Sequence, residues 1–205
     1  MVDPITAVRH AATTRLGRSR GTRLVTDMDL RNVLIEIHTA LNEQGIEHAL
    51  IGGLALTVHG APRATIDLDF LADGDRDGDV DALIRSRGYE CLQRTENVGN
   101  YLSPDRVRGR IDFLFVRRTL GRAMLARAAS HEVLGQQLRV ADAADLIGLK
   151  VQSSSNDPRR HGRDMVDVER LLATGDVDLE RVRQYFLLFD RESELDVLLA
   201  AKARG

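Results

Sequence analysis

Over residues 63 to 72 polar and apolar side chains alternate, with Thr65, Asp67 and Asp69 on one side and Ile66, Leu68 and Phe70 on the other. A period of two is that of a half-buried β-strand, so the chain must build a sheet carrying two carboxylates side by side on one face. Bare like charges at that spacing repel each other, and burying either one unpaired is costly. A divalent cation removes that cost. Hard oxygen donors with positions left open for phosphate and water suit Mg²⁺, or Mn²⁺ in its place, better than zinc. An Asp-x-Asp on a strand is common on solvated faces, so its neighbours decide whether it is a site.

Two neighbours bear on it. Gly52-Gly53 follows the apolar run His48-Ala49-Leu50-Ile51 and precedes a short helical stretch, residues 54 to 59. A glycine pair between strand and helix lets backbone N–H groups approach a polyphosphate closely. The second is Asp112, an acid inside the apolar strand Ile111 to Phe115, where a carboxylate needs a reason to be. If its strand lies beside that of Asp67, three carboxylates converge, a ligand set for metal and for activating an attacking oxygen.

The rest of the chain frames these residues. Periodicity predicts a helix over 28 to 43 capped by Asp27 or Asp29, a strand over 47 to 51, a polar turn at 74 to 78, and a helix from 80 to 88. Strands at 89 to 93, 100 to 102 and 110 to 116 read as a meander, followed by a helix at 120 to 128 and a short strand at 137 to 140. From 141 onward the period is helical, with helices at 141 to 154, 160 to 174, 179 to 189 and 191 to 202. The expected class is α+β, a mixed sheet flanked by helices, with a C-terminal helical subdomain. The expected division is a basic arm over 1 to 25, an α/β core over 26 to 140, and helices over 141 to 205. The arm carries Arg9, Arg15, Arg18, Arg20 and Arg23 against Asp3 alone; phosphate is one target for it, and an untethered terminus is the plainer reading.

Charge is otherwise balanced, 29 Lys+Arg against 31 Asp+Glu. A single cysteine, Cys91, excludes an intrachain disulfide and a thiolate metal site. With no apolar run long enough for a span and no apolar signal segment, the expectation is a cytoplasmic protein with no membrane partner.

Taken together, Gly52-Gly53, Asp67-x-Asp69 and the lone Asp112 resemble the nucleotidyltransferase fold of DNA polymerase β-type enzymes. The tract Ile51-Gly-Gly-Leu-Ala-Leu-Thr-Val-His-Gly-Ala-Pro-Arg-Ala-Thr-Ile-Asp-Leu-Asp-Phe70 is more specific and resembles the AbiEii/AbiGii toxin-type branch. Asp145-Leu-Ile-Gly-Leu-Lys150 and Arg160-His-Gly-Arg-Asp164-Met-Val-Asp167 are similar to that branch's lysine and D-x-x-D motifs. The resemblance implies that Asp67 and Asp69 hold Mg²⁺ with Asp112 as third carboxylate, and that Lys150, Asp164 and Asp167 contact nucleotide or acceptor. It implies an NTP co-substrate, an acceptor that is RNA such as the tRNA 3′ end or a protein hydroxyl, and a toxin–antitoxin or phage-defence setting with a cognate antitoxin.

Leu54 stands where many members carry Ser or Thr after the glycine pair, which leaves triphosphate binding to backbone amides with Arg63, Thr65 and Lys150. That favours a second reading, a binding module without turnover that acts as antitoxin or regulator. A third is an antibiotic-modifying nucleotidyltransferase, which shares the core. The turn Arg159-Arg160-His161-Gly162-Arg163 offers nucleic-acid phosphate a grip, against the plainer reading of a solvated helix start. Arg94, Arg106, Arg108, Arg110, Arg117 and Arg118 either funnel an anionic acceptor or balance nearby acids. Both remain open on sequence alone.

Overall fold

In the computed structural model, which describes residues 29–202, seven strands form one mixed sheet in the order β3-β4-β5-β2-β1-β7-β6. The basic arm falls outside the described residues. In chain order come α1 (Leu30–Glu43), β1 (His48–Ile51), α2 (Gly52–Val58), β2 (Asp67–Asp73), α3 (Asp77–Ser86), β3 (Glu90–Arg94), β4 (Val98–Leu102), β5 (Arg110–Val116), α4 (Thr119–Arg127), β6 (Ala129–Val133) and β7 (Gln136–Val140). Four helices follow: α5 (Ala143–Asn156), α6 (His161–Thr174), α7 (Leu179–Leu188) and α8 (Glu192–Lys202). Asp29 caps α1, its side chain accepting from the Asn32 amide, and Asp142 caps α5 in the same way through Ala144.

The mixed α+β class and the β3-β4-β5 meander match the sequence expectation. One boundary and one element differ for local reasons. Residues 61–66 form no strand, and β2 begins at Asp67, after Pro62 and an exposed Ile66. The strand β6 was not expected at all. It pairs antiparallel with β7 through a two-residue turn at Leu134 and Gly135, both at positive φ, and leucine gives no turn signal. Arg31 holds that turn by donating from Nε to the Leu134 carbonyl at 3.0 Å.

The sheet's two faces have different jobs. One face carries Leu68, Phe70, Ile111 and Phe113, all buried, with Phe70 stacked on Phe113 at 5.5 Å between ring centroids. These residues pack in one core with Val33, Leu34, Ile37 and Leu41 of α1 and with Val80 and Ile84 of α3. The opposite face carries Asp67, Asp69 and Asp112 at one end and, farther along the same strands, Leu71, Leu114 and Val116 under α4 and Tyr185. Alternation along β2 and β5 is what separates them.

Candidate active site

Strands β2 and β5 run parallel, and Asp69 is the register partner of Asp112 while Asp67 is that of Arg110. Register partners share a face. The three acids of the sequence reading therefore leave the same side of the sheet on adjacent strands. Their situations differ. Asp112 Oδ1 accepts from Arg110 Nε at 2.7 Å and from Asn100 Nδ2 at 2.8 Å, whereas Oδ2 takes no hydrogen bond among the described residues. Asn100 reaches it because it is Asp112's partner across β4 and β5. Nothing in the sequence marks Asn100 as functional; the register alone brings it there.

Asp67 and Asp69 have no hydrogen bond or ion pair on their carboxylates among the described residues. Burial first, then the negative charge of Asp112, raises Asp67 above the usual carboxylate range. The same causes, with Asp67 added, push Asp69 up to about 6. Two half-buried, unpaired carboxylates suit a hard dication such as Mg²⁺ or Mn²⁺. Among the described residues no three acid, histidine or cysteine side chains are grouped so as to hold a metal ion together.

The glycine pair closes on this face. Gly52 sits at φ +66°, and a β-carbon there would fall 1.9 Å from Asp69 Oδ2. At Gly53 it would fall 2.5 Å from Thr65 Cβ and 2.7 Å from Thr65 Oγ1. Only glycine allows β1 to turn into α2 this close to the acids. Thr65 therefore brings a hydroxyl beside Gly53, donating at present to the Asp67 carbonyl at 3.3 Å. Leu54 itself is half-buried and packs on the core.

The helical half adds a second charged layer. Lys150 of α5 is buried, with Nζ 3.1 Å from Asp164 Oδ1 and 2.6 Å from Asp167 Oδ2 on α6. Arg63 Nε lies 3.3 Å from Asp167 Oδ2, and Arg160 donates to Asp164 Oδ2 at 3.3 Å. The Asp167 Oδ2 and Arg63 Nε atoms are buried with no aligned hydrogen bond among the described residues, so their contacts are ionic. Lys150 thus links α5 to α6, and its charge and that of Arg63 both act on Asp69.

Of the arginines near Asp112, most balance acids. Arg94 pairs with Asp77 at 2.7 Å, Arg108 with Glu36 at 2.9 Å, and Arg117 with Asp77 at 2.9 Å. Three residues of the basic turn are similarly committed, Arg160 to Asp164 as above. Arg159 pairs with Asp157 at 2.9 Å and His161 Nε2 lies 3.1 Å from Glu194. Cys91 packs against the core from β3, as a strand residue.

A family model for the AbiEii nucleotidyl transferase toxin of type IV toxin–antitoxin systems matches residues 39–202. The chain belongs to the AbiEii nucleotidyltransferase family. Its matched span includes the glycine pair, all three strand acids and the α5–α6 charge layer. No curated protein matches it. Among solved structures it is similar to the antibiotic-resistance factor ANT(2'')-Ia in solution, with a TM-score of 0.62 and 16% identity, covering 87% of this chain and all of that one. It is also similar to an antigenic nucleotidyltransferase-like protein from Paracoccidioides brasiliensis, with a TM-score of 0.54 and 18% identity over 84% of this chain and 93% of that one. A third is the lincosamide antibiotic adenylyltransferase LnuA, bound to lincomycin, with a TM-score of 0.51 and 12% identity over 70% of this chain and 96% of that one. These likenesses establish the nucleotidyltransferase fold, and with the family match they identify this AbiEii-family chain as a nucleotidyltransferase enzyme. Among the described residues, no helix is long and apolar enough to cross a membrane.

Proposed function

We propose that this enzyme transfers a nucleotidyl group from an NTP to a hydroxyl of RNA, such as the tRNA 3′ end, or of a protein, as the toxin of a toxin–antitoxin or phage-defence pair. The observation that carries the reading is the unpaired Asp67 and Asp69 beside Gly52, with Asp112 in register on the next strand.

Asp67 and Asp69 are the residues that would hold Mg²⁺ or Mn²⁺. Such an ion, when bound, neutralises phosphate charge and makes the α-phosphorus more electrophilic. The amides of Gly52 and Gly53 take phosphate oxygens, and Thr65 turns its hydroxyl to them in place of the one that Leu54 lacks. Lys150 and Arg63 supply fixed positive charge behind the acids. Asp112 is held in one orientation by Arg110 and Asn100 at Oδ1, so its free Oδ2 can accept the proton of the acceptor hydroxyl. The acceptor oxygen bonds to the α-phosphorus as the bond to pyrophosphate breaks, and the pyrophosphate leaves with its electron pair. Catalysis is then mainly positioning and charge compensation.

The test is incubation with labelled NTPs, Mg²⁺ and total RNA, comparing wild type with the double variant Asp67→Ala, Asp69→Ala. Label transfer by the wild type alone supports the mechanism; equal transfer by both would sink it. Leu54 favours a second reading, a catalytically weak nucleotidyltransferase that acts mainly through partner contacts as antitoxin or regulator, and Mg²⁺-independent or absent nucleotide binding in calorimetry would support it.

A further inference from the structure

Strand register lays the active site out as one row. Ile51 of β1 stands opposite Asp69 of β2, Asp69 opposite Asp112 of β5, and Asp112 opposite Asn100 of β4. Neighbouring strands lie about 4.8 Å apart, so each place in the row is one strand's width from the next. Gly52 and Gly53 follow Ile51 and close the row on the β1 side. In an in-line displacement the attacking and leaving oxygens stand on opposite sides of the phosphorus. A triphosphate held on the glycine amides therefore releases pyrophosphate toward β1 and draws its acceptor from beyond Asp112, over β4.

Asn100 is what an acceptor meets there. Its Nδ2 donates at 2.8 Å to Asp112 Oδ1, which also accepts from Arg110 Nε at 2.7 Å. An oxygen taking two hydrogen bonds offers no proton, so the amide must turn its nitrogen inward, and Asn100 Oδ1 is left as an acceptor with no partner among the described residues. Asp112 Oδ2 is the second such oxygen, and the two belong to groups already joined by one hydrogen bond. Past Asn100 the strand β3 bulges at Leu92, so that Leu92 and Gln93 stand opposite Asn100 alone. Leu92 is 54% exposed, and Leu102, on the same face of β4 as Asn100, is 42% exposed. The surface beyond Asp112 is thus a pair of free hydrogen-bond acceptors followed by leucines open to solvent.

We propose that Asn100 selects the acceptor: its Oδ1 accepts a hydrogen bond from the hydroxyl next to the attacking one, so that the group modified is the 2′,3′-diol of a ribose at an RNA 3′ end. The proposal rests on the nucleotidyl-transfer reading and narrows its acceptor. The attacking hydroxyl gives its proton to Asp112 Oδ2 as its oxygen bonds to the α-phosphorus and pyrophosphate leaves with the electron pair of the broken bond. The neighbouring hydroxyl donates to Asn100 Oδ1, and the carbon face of the sugar lies over Leu102. Two acceptor oxygens side by side call for two donors on adjacent atoms, which a vicinal diol supplies and a serine, threonine or tyrosine hydroxyl does not. The same contact separates RNA from DNA, whose terminal sugar lacks the 2′-hydroxyl. A site built to bind a hydroxyl discriminates against the analogue without it, because its own polar group is then left unpaired.

The experiment measures kcat/KM for label transfer from NTP, with Mg²⁺, to total tRNA ending in adenosine, 2′-deoxyadenosine or 3′-deoxyadenosine. One deoxy acceptor lacks the attacking oxygen and should take no label. The other lacks only its neighbour, and wild type should use it about 5- to 100-fold less well than the diol, the range for one polar group left unpaired. Asn100→Leu should be slower with every acceptor, because Asp112 loses one of its two holders, and should use the diol and the active deoxy acceptor equally. The ratio is the readout, since a residue that merely orients Asp112 would slow both acceptors alike and keep the preference. Filter binding of the three tRNAs without NTP repeats the comparison on affinity where the variant turns over too slowly to assay. Wild type that uses both acceptors equally, or a preference kept in Asn100→Leu, would overturn the role of Asn100 and leave nucleotidyl transfer intact. Label carried by protein and not by tRNA would overturn the ribose diol and likewise leave transfer intact. No label on either would overturn both.

Discussion

The backbone of Gly52 and the carboxylate of Asp69 lie so close that a β-carbon on Gly52 would sit 1.9 Å from Asp69 Oδ2. The strand that ends in the glycine pair and the strand that carries the acids are paired antiparallel, with Ile51 opposite Asp69. The turn into α2 thereby brings its amides next to the carboxylates. Phosphate and metal positions are one piece of architecture, set by a single strand pairing.

Gly52→Ala must then do two kinds of harm. Positive φ disfavours any side chain, at about 1–3 kcal/mol, and the added carbon displaces Asp69. A lower melting temperature together with loss of label transfer is expected. Gly162→Ala, where a β-carbon meets nothing within 4 Å, should instead melt at or slightly above the wild-type temperature. Differential scanning fluorimetry on the pair separates the two outcomes.

Asp69 titrates near 6 in the folded protein against 3.8 as the ordinary value, because burial and the charges of Asp112 and Asp67 oppose its ionisation. Folded protein therefore binds this proton more tightly than unfolded chain. Its contribution to stability is complete below pH 3.8 and is lost as the pH rises through about 6. Melting curves of wild type and Asp69→Asn across that window should converge at the acid end, with the variant more stable at neutral pH. Mg²⁺ competes with the same proton, so Mg²⁺ should raise the wild-type melting temperature above pH 6 and do little below it. A stabilisation by Mg²⁺ that is the same at both ends would contradict the assignment.

Lys150→Met leaves Asp164 and Asp167 buried opposite only Arg160 and Arg63. Removing one partner of a buried pair typically costs about 3–5 kcal/mol. Urea unfolding should register that loss, and the triple variant Lys150→Met, Asp164→Asn, Asp167→Asn should recover a large part of it. No recovery would mean that Lys150 supports the fold by some route other than the α5–α6 clamp.

Asp145 is fully buried where α5 meets α4 and α7, with Arg127 donating to both its oxygens at 2.8 and 3.0 Å and Tyr185 donating to Oδ1 at 2.6 Å. The ring of Tyr185 also crowds Gly148, where a β-carbon would fall 2.7 Å from it. Tyr185→Phe removes one charge-assisted hydrogen bond, worth about 1.5–3 kcal/mol, and Gly148→Ala forces the ring aside. Both should lower stability in urea while sparing the affinity for tripolyphosphate.

Much of the architecture was legible because it is written in local periods. The helices α1, α4 and α5 to α8 and the strand β5 follow from 3.6- and 2-residue spacing, and the glycine pair and the Asp67-x-Asp69 doublet follow from sequence distance alone. The strand β7 was expected at 137 to 140, but β6 and the hairpin that joins them were invisible, since Leu134 and Gly135 form the turn without a recognisable turn dipeptide and long-range contact from Arg31 fixes it. The six arginines around Asp112 could be counted from sequence and not assigned; for Arg94, Arg108 and Arg117 the answer, acid balance, lay in Asp77 and Glu36 on other elements.

By itself the sequence determined which chemical groups stand on which face: alternation on β2 put two carboxylates together, and a glycine pair stood where a strand becomes a helix. Only the tertiary structure decided that Asp112 is opposite Asp69, that Asn100 and Arg110 hold one of its oxygens, and that the Asp67 and Asp69 carboxylates take no partner among the described residues. The reason is physical. Which side a residue faces depends on neighbours two or three positions away, whereas strand register and ion pairing join residues tens of positions apart and exist only once the sheet and helices have packed.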